Sequence, residues 1–145
     1  MSPRPERFWE DVNVGDEADG FSMELTWTAL ALQVSGSQDW STVHHDPVFA
    51  SESGHATPFF NTGWTAAMLG RVLSDWAGPS GWLCRLDFGM RKMNALGDTV
   101  RGGAAVTGKN VADDGRHLVE LDVWLENERE GRTTPATATM SLPCR

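Results

Sequence analysis

Asn61-Thr62-Gly63-Trp64-Thr65-Ala66-Ala67-Met68-Leu69-Gly70-Arg71-Val72-Leu73-Ser74-Asp75-Trp76-Ala77-Gly78-Pro79 is the longest helix-patterned run in the chain. Asn61 or Thr62 offers a side-chain oxygen to the free N–H groups of a first turn, and Gly78-Pro79 stops a helix that runs to about Trp76. Trp64, Ala66, Ala67, Met68, Leu69, Val72, Leu73 and Trp76 cover more than one face. A helix apolar nearly all round belongs in an interior, against a sheet. The run therefore predicts a long central helix.

On its C-terminal side the period changes from helical to alternating. Strands are expected at Trp82 to Met90, Asp98 to Gly108, His117 to Leu125 and Thr133 to Leu142, joined by turn residues such as Asp113-Asp114-Gly115 and Glu130-Gly131. Trp82, Cys84, Leu86, Phe88 and Met90 share one face, as do Val119, Leu121, Val123 and Leu125, and Ala136, Ala138, Met140 and Leu142. On the N-terminal side, Phe8 to Asp16 is a lead-in with a turn and Phe21 to Trp27 a short strand. Thr28 caps a brief helix through Val34, ended by Gly36. One strand, a buried helix and four antiparallel strands make a single α+β domain over residues 1–145 in which the sheet wraps the helix, the hot-dog arrangement. Such a sheet leaves an edge and an apolar face open, which favours pairing with a second copy or a homologous chain.

The 145 residues carry a formal net charge of −8, which argues against nucleic acid or an anionic membrane as partner. No Lys or Arg occurs between Phe8 and Gly70, whereas Arg71, Arg85, Arg91, Lys92, Arg101 and Lys109 follow closely. An anionic ligand is expected to meet that second stretch, unless those charges are simply solvated. The start of the chain lacks an apolar signal region, no run is long enough to span a membrane, and Cys84 and Cys144 are read as reduced thiols. A cytoplasmic protein is the expectation.

Between Gln38 and Pro58 the apolar period disappears, leaving an expected loop of about twenty residues, longer than ordinary connections. It holds the one dense polar constellation, Asp39-Trp40-Ser41-Thr42-Val43-His44-His45-Asp46. An extended chain would hold Asp39 and His44 roughly 17 Å apart, and a helix would rotate them about 140° from each other. A tight turn through Ser41 and Thr42 brings them together, and a carboxylate and an imidazole converging on one water suit acid–base addition or removal of water. Asp39 as a turn residue and His44 as a loop histidine is the bland alternative. For a metal site from His44, His45 and Asp46, adjacent histidines point differently on a regular strand and no fourth ligand is obvious, His55 being the nearest candidate, so none is expected.

The spacing of Asp39, His44 and Asp46, followed by Phe49-Ala50, resembles the signature of MaoC-like, R-specific enoyl-CoA hydratases, as does the Phe8 to Asp16 lead-in. Val43-His44-His45-Asp46, Phe60-Asn61, Arg71, Asp75 to Ser80 and Gly97-Asp98-Thr99-Val100 are similar to the small catalytic subunit of the branch that degrades steroid side chains. The resemblance implies a hot-dog fold, a catalytic Asp39/His44 pair, an enoyl-CoA substrate with a bulky acyl group, and a second hot-dog chain as partner. Coenzyme A then enters as part of the thioester, with no separate cofactor. Ser41-Thr42 departs from the general family's Asn-Pro, and Thr62-Gly63 from its His-Gly.

Gly63 at the start of the central helix is the expected N–H donor to the thioester oxygen, with Asn61 and Thr62 as near alternatives. Trp40 and Trp64 are candidate walls for the acyl group. Arg71, Arg91 and Lys92 are candidates for the coenzyme A phosphates, although Arg71 can instead pair with Asp75 one turn on. Two other classes compete with the hydratase: a non-catalytic hot-dog subunit, and a cone-shaped α+β barrel of the polyketide cyclase or steroid isomerase kind. The barrel should begin with several helices. A thioesterase would need a carboxylate between Asn61 and Arg71, which holds none.

Overall fold

The computed structural model describes residues 6–145. In chain order it contains β1 (Glu17–Glu24), α1 (Trp27–Ser37), a 3₁₀ turn (Thr42–His44), α2 (Pro47–Glu52), α3 (Thr62–Ala77), β2 (Trp82–Phe88), β3 (Thr99–Val111), β4 (His117–Asn127) and β5 (Gly131–Ser141). The strands form one antiparallel sheet ordered β1-β3-β4-β5-β2. α3 packs on β1, β2, β3 and β4, so it reaches both edges and the middle of the sheet, which curls around it. The α+β hot-dog expectation is met.

α3 starts where Asn61, extended at ψ 174°, accepts the Trp64 N–H at 2.8 Å, and ends at Gly78, whose φ of 82° stops the helix before Pro79. Trp64, Thr65, Leu69, Val72, Leu73, Trp76 and Ala77 are buried. Ala66 and Met68 are half-buried and Ala67 is exposed, so the helix is not covered all round. The sheet covers one side, and the stripe of Gly63, Ala67, Arg71 and Ser74 faces outward. The core continues through Val119, Leu121, Val123 and Leu125 of β4 and Ala138 and Met140 of β5, the alternation expected of half-buried strands.

Elsewhere the boundaries move for local reasons. β1 begins earlier than expected because Glu17, Ala18 and Asp19 pair with Ala105, Ala104 and Gly103. A bulge follows, and Gly20 passes so close to β3 that a Cβ there would meet the Gly102 oxygen at 1.7 Å. Thr26, not Thr28, caps α1, accepting the Ala29 N–H at 3.2 Å. Leu25 and Leu30, both buried, stand at the two staple positions around that cap. Gly36 lies inside α1 and does not end it.

The expected irregular loop contains α2, capped by Asp46, which accepts from Val48 and Phe49, with Pro47 at the first helical position. In β2 the register shifts between Leu83 and Arg85. Leu83, Leu86 and Phe88 therefore turn inward, while Trp82 and Cys84 are exposed, correcting the single face assigned to that strand.

Candidate active site

α1 ends at Gln38, the one non-glycine residue with positive φ among the described residues, at φ 56° and ψ 24°. Its Nε2 donates to Ser35 O at 2.7 Å and holds the reversal. The left-handed residue turns the chain back at once, so Asp39 stands beside the end of the helix it has just left. Asp39 Oδ1 then accepts the Ser41 N–H at 3.3 Å, and His44 N–H donates to Ser41 O at 3.0 Å to close the 3₁₀ turn. These two tight turns bring Asp39 Oδ2 to 3.4 Å from His44 Nε2. The convergence expected from Ser41-Thr42 is present.

His44 is 7% exposed, and its Nδ1 lies 2.8 Å from Phe59 O, with the Phe59 ring packed edge-on against it. A carbonyl oxygen only accepts, so Nδ1 carries the proton. In the neutral ring the Nε2 lone pair then faces the Asp39 carboxylate. Two acceptors 3.4 Å apart do not bond each other, and each can accept one hydrogen of a single water. The Asp39 side chain is 41% exposed, so water reaches it.

Asn61 sits behind this pair. Its Nδ2 donates to Ser37 Oγ at 2.7 Å and to Asp39 Oδ2 at 3.1 Å, while its Oδ1 caps α3. With both amide hydrogens engaged and its backbone N–H donated to Gln33 Oε1 at 3.3 Å, Asn61 has no donor left for a ligand, which corrects its placement as a substrate contact and alternative N–H donor. In the same first turn, neither Thr62 nor Gly63 N–H meets an acceptor among the described residues, as helix geometry dictates. The Thr62 hydroxyl donates to Met90 Sδ at 3.5 Å.

A cavity of about 350 Å³ lies between α1 and α3, lined by Gln33, Gly36, Ser37, Gly63, Trp64 and Ala67. Gly63 leaves it open: a Cβ there would meet the Ser37 Cβ at 3.3 Å. Trp64 is both wall and core, tilted against Phe60. Trp40 is 60% exposed and borders neither this cavity nor the next. Asp39 and His44 stand outside the cavity lining, joined to it through Ser37 and Asn61.

A second cavity, about 470 Å³, is lined by His55, Phe59, Arg91, Lys92, Arg129 and Glu130 among others. Phe59 links it to His44. Arg129 is held by Asp98 at 2.8 Å and Lys92 by Glu130 at 3.3 Å. Burial works to raise the Asp98 carboxyl, but hydrogen bonds from Arg129 and the Ala95 N–H and the Arg129 charge outweigh it and hold the group below its ordinary range. Arg91 has no carboxylate within 4.0 Å among the described residues. Arg71 lies elsewhere, 3.4 Å from Asp75 and over the Phe21 ring. Lys109 is spent on the Trp9 and Val12 carbonyls. Among the described residues no three His, Cys, Asp or Glu side chains gather as a metal site, and no helix is long and apolar enough to cross a membrane.

The sequence matches no protein-family model and no curated protein. Solved structures match over nearly the whole chain. A chain of the ChsH1-ChsH2 complex from Mycobacterium tuberculosis is 25% identical with a TM-score of 0.81, covering 90% of this chain and 98% of that one. The (R)-hydratase from A. caviae involved in PHA biosynthesis is 19% identical, with a TM-score of 0.81 and coverage of 92% and 99%. A MaoC-like dehydratase from Rhodospirillum rubrum is 21% identical, with a TM-score of 0.82 and coverage of 96% and 98%. The chain has the MaoC-like hot-dog fold.

In this MaoC-like fold the two residues that sequence reasoning missed are Ser37 and Phe59. Ser37 stands two residues before Asp39, a nearness that carries no signal by itself. Phe59 acts through its carbonyl, which no side-chain pattern can reveal.

Proposed function

We propose that the chain is an enoyl-CoA hydratase or dehydratase that adds water across the double bond of a 2-enoyl thioester, or removes it. The observation that carries this reading is the 3.4 Å gap between Asp39 Oδ2 and His44 Nε2, two acceptors fit to grip one water by both hydrogens. Asp39 is the general base, and His44 orients the water or passes the proton on. The water oxygen bonds to the β-carbon, one water proton goes to the pair, and the α-carbon receives a proton in return. Negative charge gathers meanwhile on the thioester oxygen. The open N–H of Gly63 at the α3 N-terminus suits that oxygen, helped by the helix dipole.

The cavity at Gly63 and Trp64 suits the acyl chain, and its size is compatible with a bulky group such as a steroid nucleus. Arg91, which lines the second cavity with no carboxylate within 4.0 Å among the described residues, serves the coenzyme A phosphates with Lys92 beside it. β2 is an edge strand with Trp82 73% exposed, which favours a second hot-dog chain as partner, either another copy or a relative. The likeness to a chain of a two-component complex supports the same view.

Purified protein should hydrate crotonyl-CoA or a bulky, steroid-type enoyl-CoA, and His44→Ala should lose about a hundredfold or more in kcat. No hydration of either thioester by folded protein, or near-parental turnover by His44→Ala, would overturn the reading. Native mass measurement on the same sample reports the partner.

A further inference from the structure

We propose that Asn61 is a positioning residue, which aims the Asp39 carboxylate at the bound water; this rests on the hydratase reading and extends it. Asn61 is 2% exposed. Its amide can face only one way. Oδ1 must accept the Trp64 N–H at 2.8 Å, so Nδ2 is turned toward Ser37 and Asp39. Ser37 cannot compete as a donor, because its hydroxyl hydrogen goes to Gln33 O at 2.6 Å and a lone pair is left for Asn61. The backbone of Asn61 is held as well, its N–H by Gln33 Oε1 and its carbonyl by Thr65 N–H and Oγ1.

The oxygen that Asn61 reaches is Oδ2, the same one that faces His44. Oδ1 is taken by Ser41 N–H. Between them the two donors set the plane of the carboxylate. The groups that face Asp39 are Ser37 from α1, Ser41 and His44 from the 3₁₀ turn, and Asn61 from the α3 cap. Among the described residues His44 is the titratable side chain paired with it. One amide therefore ties the base to the helix whose N-terminus suits the thioester oxygen. A shift of α3 would be felt at Asp39.

Asn61→Asp and Asn61→Ser both keep an oxygen able to cap α3, so both should fold. Asn61→Asp puts a like charge where a donor stood. The acid limb of kcat/KM for crotonyl-CoA should move up by about one pH unit or more. Asn61→Ser keeps the cap but replaces the longer amide donor with a short hydroxyl, and kcat should fall about tenfold while KM stays within about twofold. The pH midpoint of the Asp39 carboxyl carbon, followed by carbon-13 NMR without substrate, should rise in Asn61→Asp, where a like charge faces it. A folded Asn61→Ser protein with parental kcat, or a folded Asn61→Asp protein whose pH profile and carboxyl midpoint coincide with the parent's, overturns the proposal. Should the parent hydrate no enoyl thioester, the hydratase reading fails, and the carboxyl titration still decides the role of Asn61. If neither Asn61 variant folds, the parent decides: the Asn61 side-chain amide signals should move as the Asp39 carboxyl carbon titrates, and amide signals unmoved over that range overturn the proposal.

Discussion

Replacing Asp39 by Asn separates what this residue does for the reaction from what it does for the fold. Its two oxygens accept different donors, Ser41 N–H at 3.3 Å and Asn61 Nδ2 at 3.1 Å, and Oδ2 also faces His44. An amide has one accepting atom, so one contact must become donor against donor. The Asn61 amide is buried and the Ser41 N–H is exposed. The new oxygen therefore stays on Asn61, and the Ser41 contact is lost to water. One such hydrogen bond is worth about 1 kcal/mol, or roughly 3 °C in Tm for a domain of this size. The chemical loss is larger. Without a general base kcat should fall about a hundredfold to ten-thousandfold, equivalent to about 3 to 5 kcal/mol of barrier. Initial rates on crotonyl-CoA and a thermal melt on the same preparation give both numbers. Turnover within tenfold of the parent, or a fall in Tm beyond about 10 °C, would refute the argument, since the residue would then be spectator or scaffold.

Three more outcomes follow from other parts of the molecule. Arg91→Ala should raise KM for coenzyme A thioesters about tenfold and leave KM for a short phosphate-free thioester unchanged, as steady-state kinetics would report. Gly20→Ala should destabilise by about 2 kcal/mol or more in urea unfolding, because its Cβ would fall 1.7 Å from the Gly102 oxygen and push β1 off β3. Asp98 is held below its ordinary range in the fold, so it contributes stability above the normal carboxylate range that is lost as pH falls through the folded value. Asp98→Asn should therefore be less stable than the parent at neutral pH, and the difference should close as pH falls through the folded value, measured by denaturant unfolding at each pH.

The parts of this protein that could be read in advance are those encoded by neighbours in the chain. The α3 boundaries follow from Asn61, Gly78 and Pro79, and the inner faces of β4 and β5 from strict alternation. Both are short-range signals. α2 was legible too, in Asp46-Pro47, yet the polar composition around it masked a single helical turn and a half. β2 shows the opposite case. Its residues alternate without fault, but a bulge opposite β5 reverses the phase after Leu83 and puts Cys84 outside. A bulge is decided by the pairing of two strands, and one strand does not contain it.

The succession of strands and long helix along the chain and the candidacy of Asp39 and His44 came from the amino-acid sequence alone, because periodicity, capping residues and the type of reactive group are local properties. Tertiary structure alone decided how the pair meets: through a left-handed Gln38, with Nδ1 on the Phe59 carbonyl and the carboxylate steadied by Asn61. It also separated Arg91, left without a carboxylate among the described residues, from Arg71, which Asp75 holds. These are contacts between residues distant in the chain or made by the backbone. Their energies depend on three-dimensional distance and burial, which no spacing along the chain specifies.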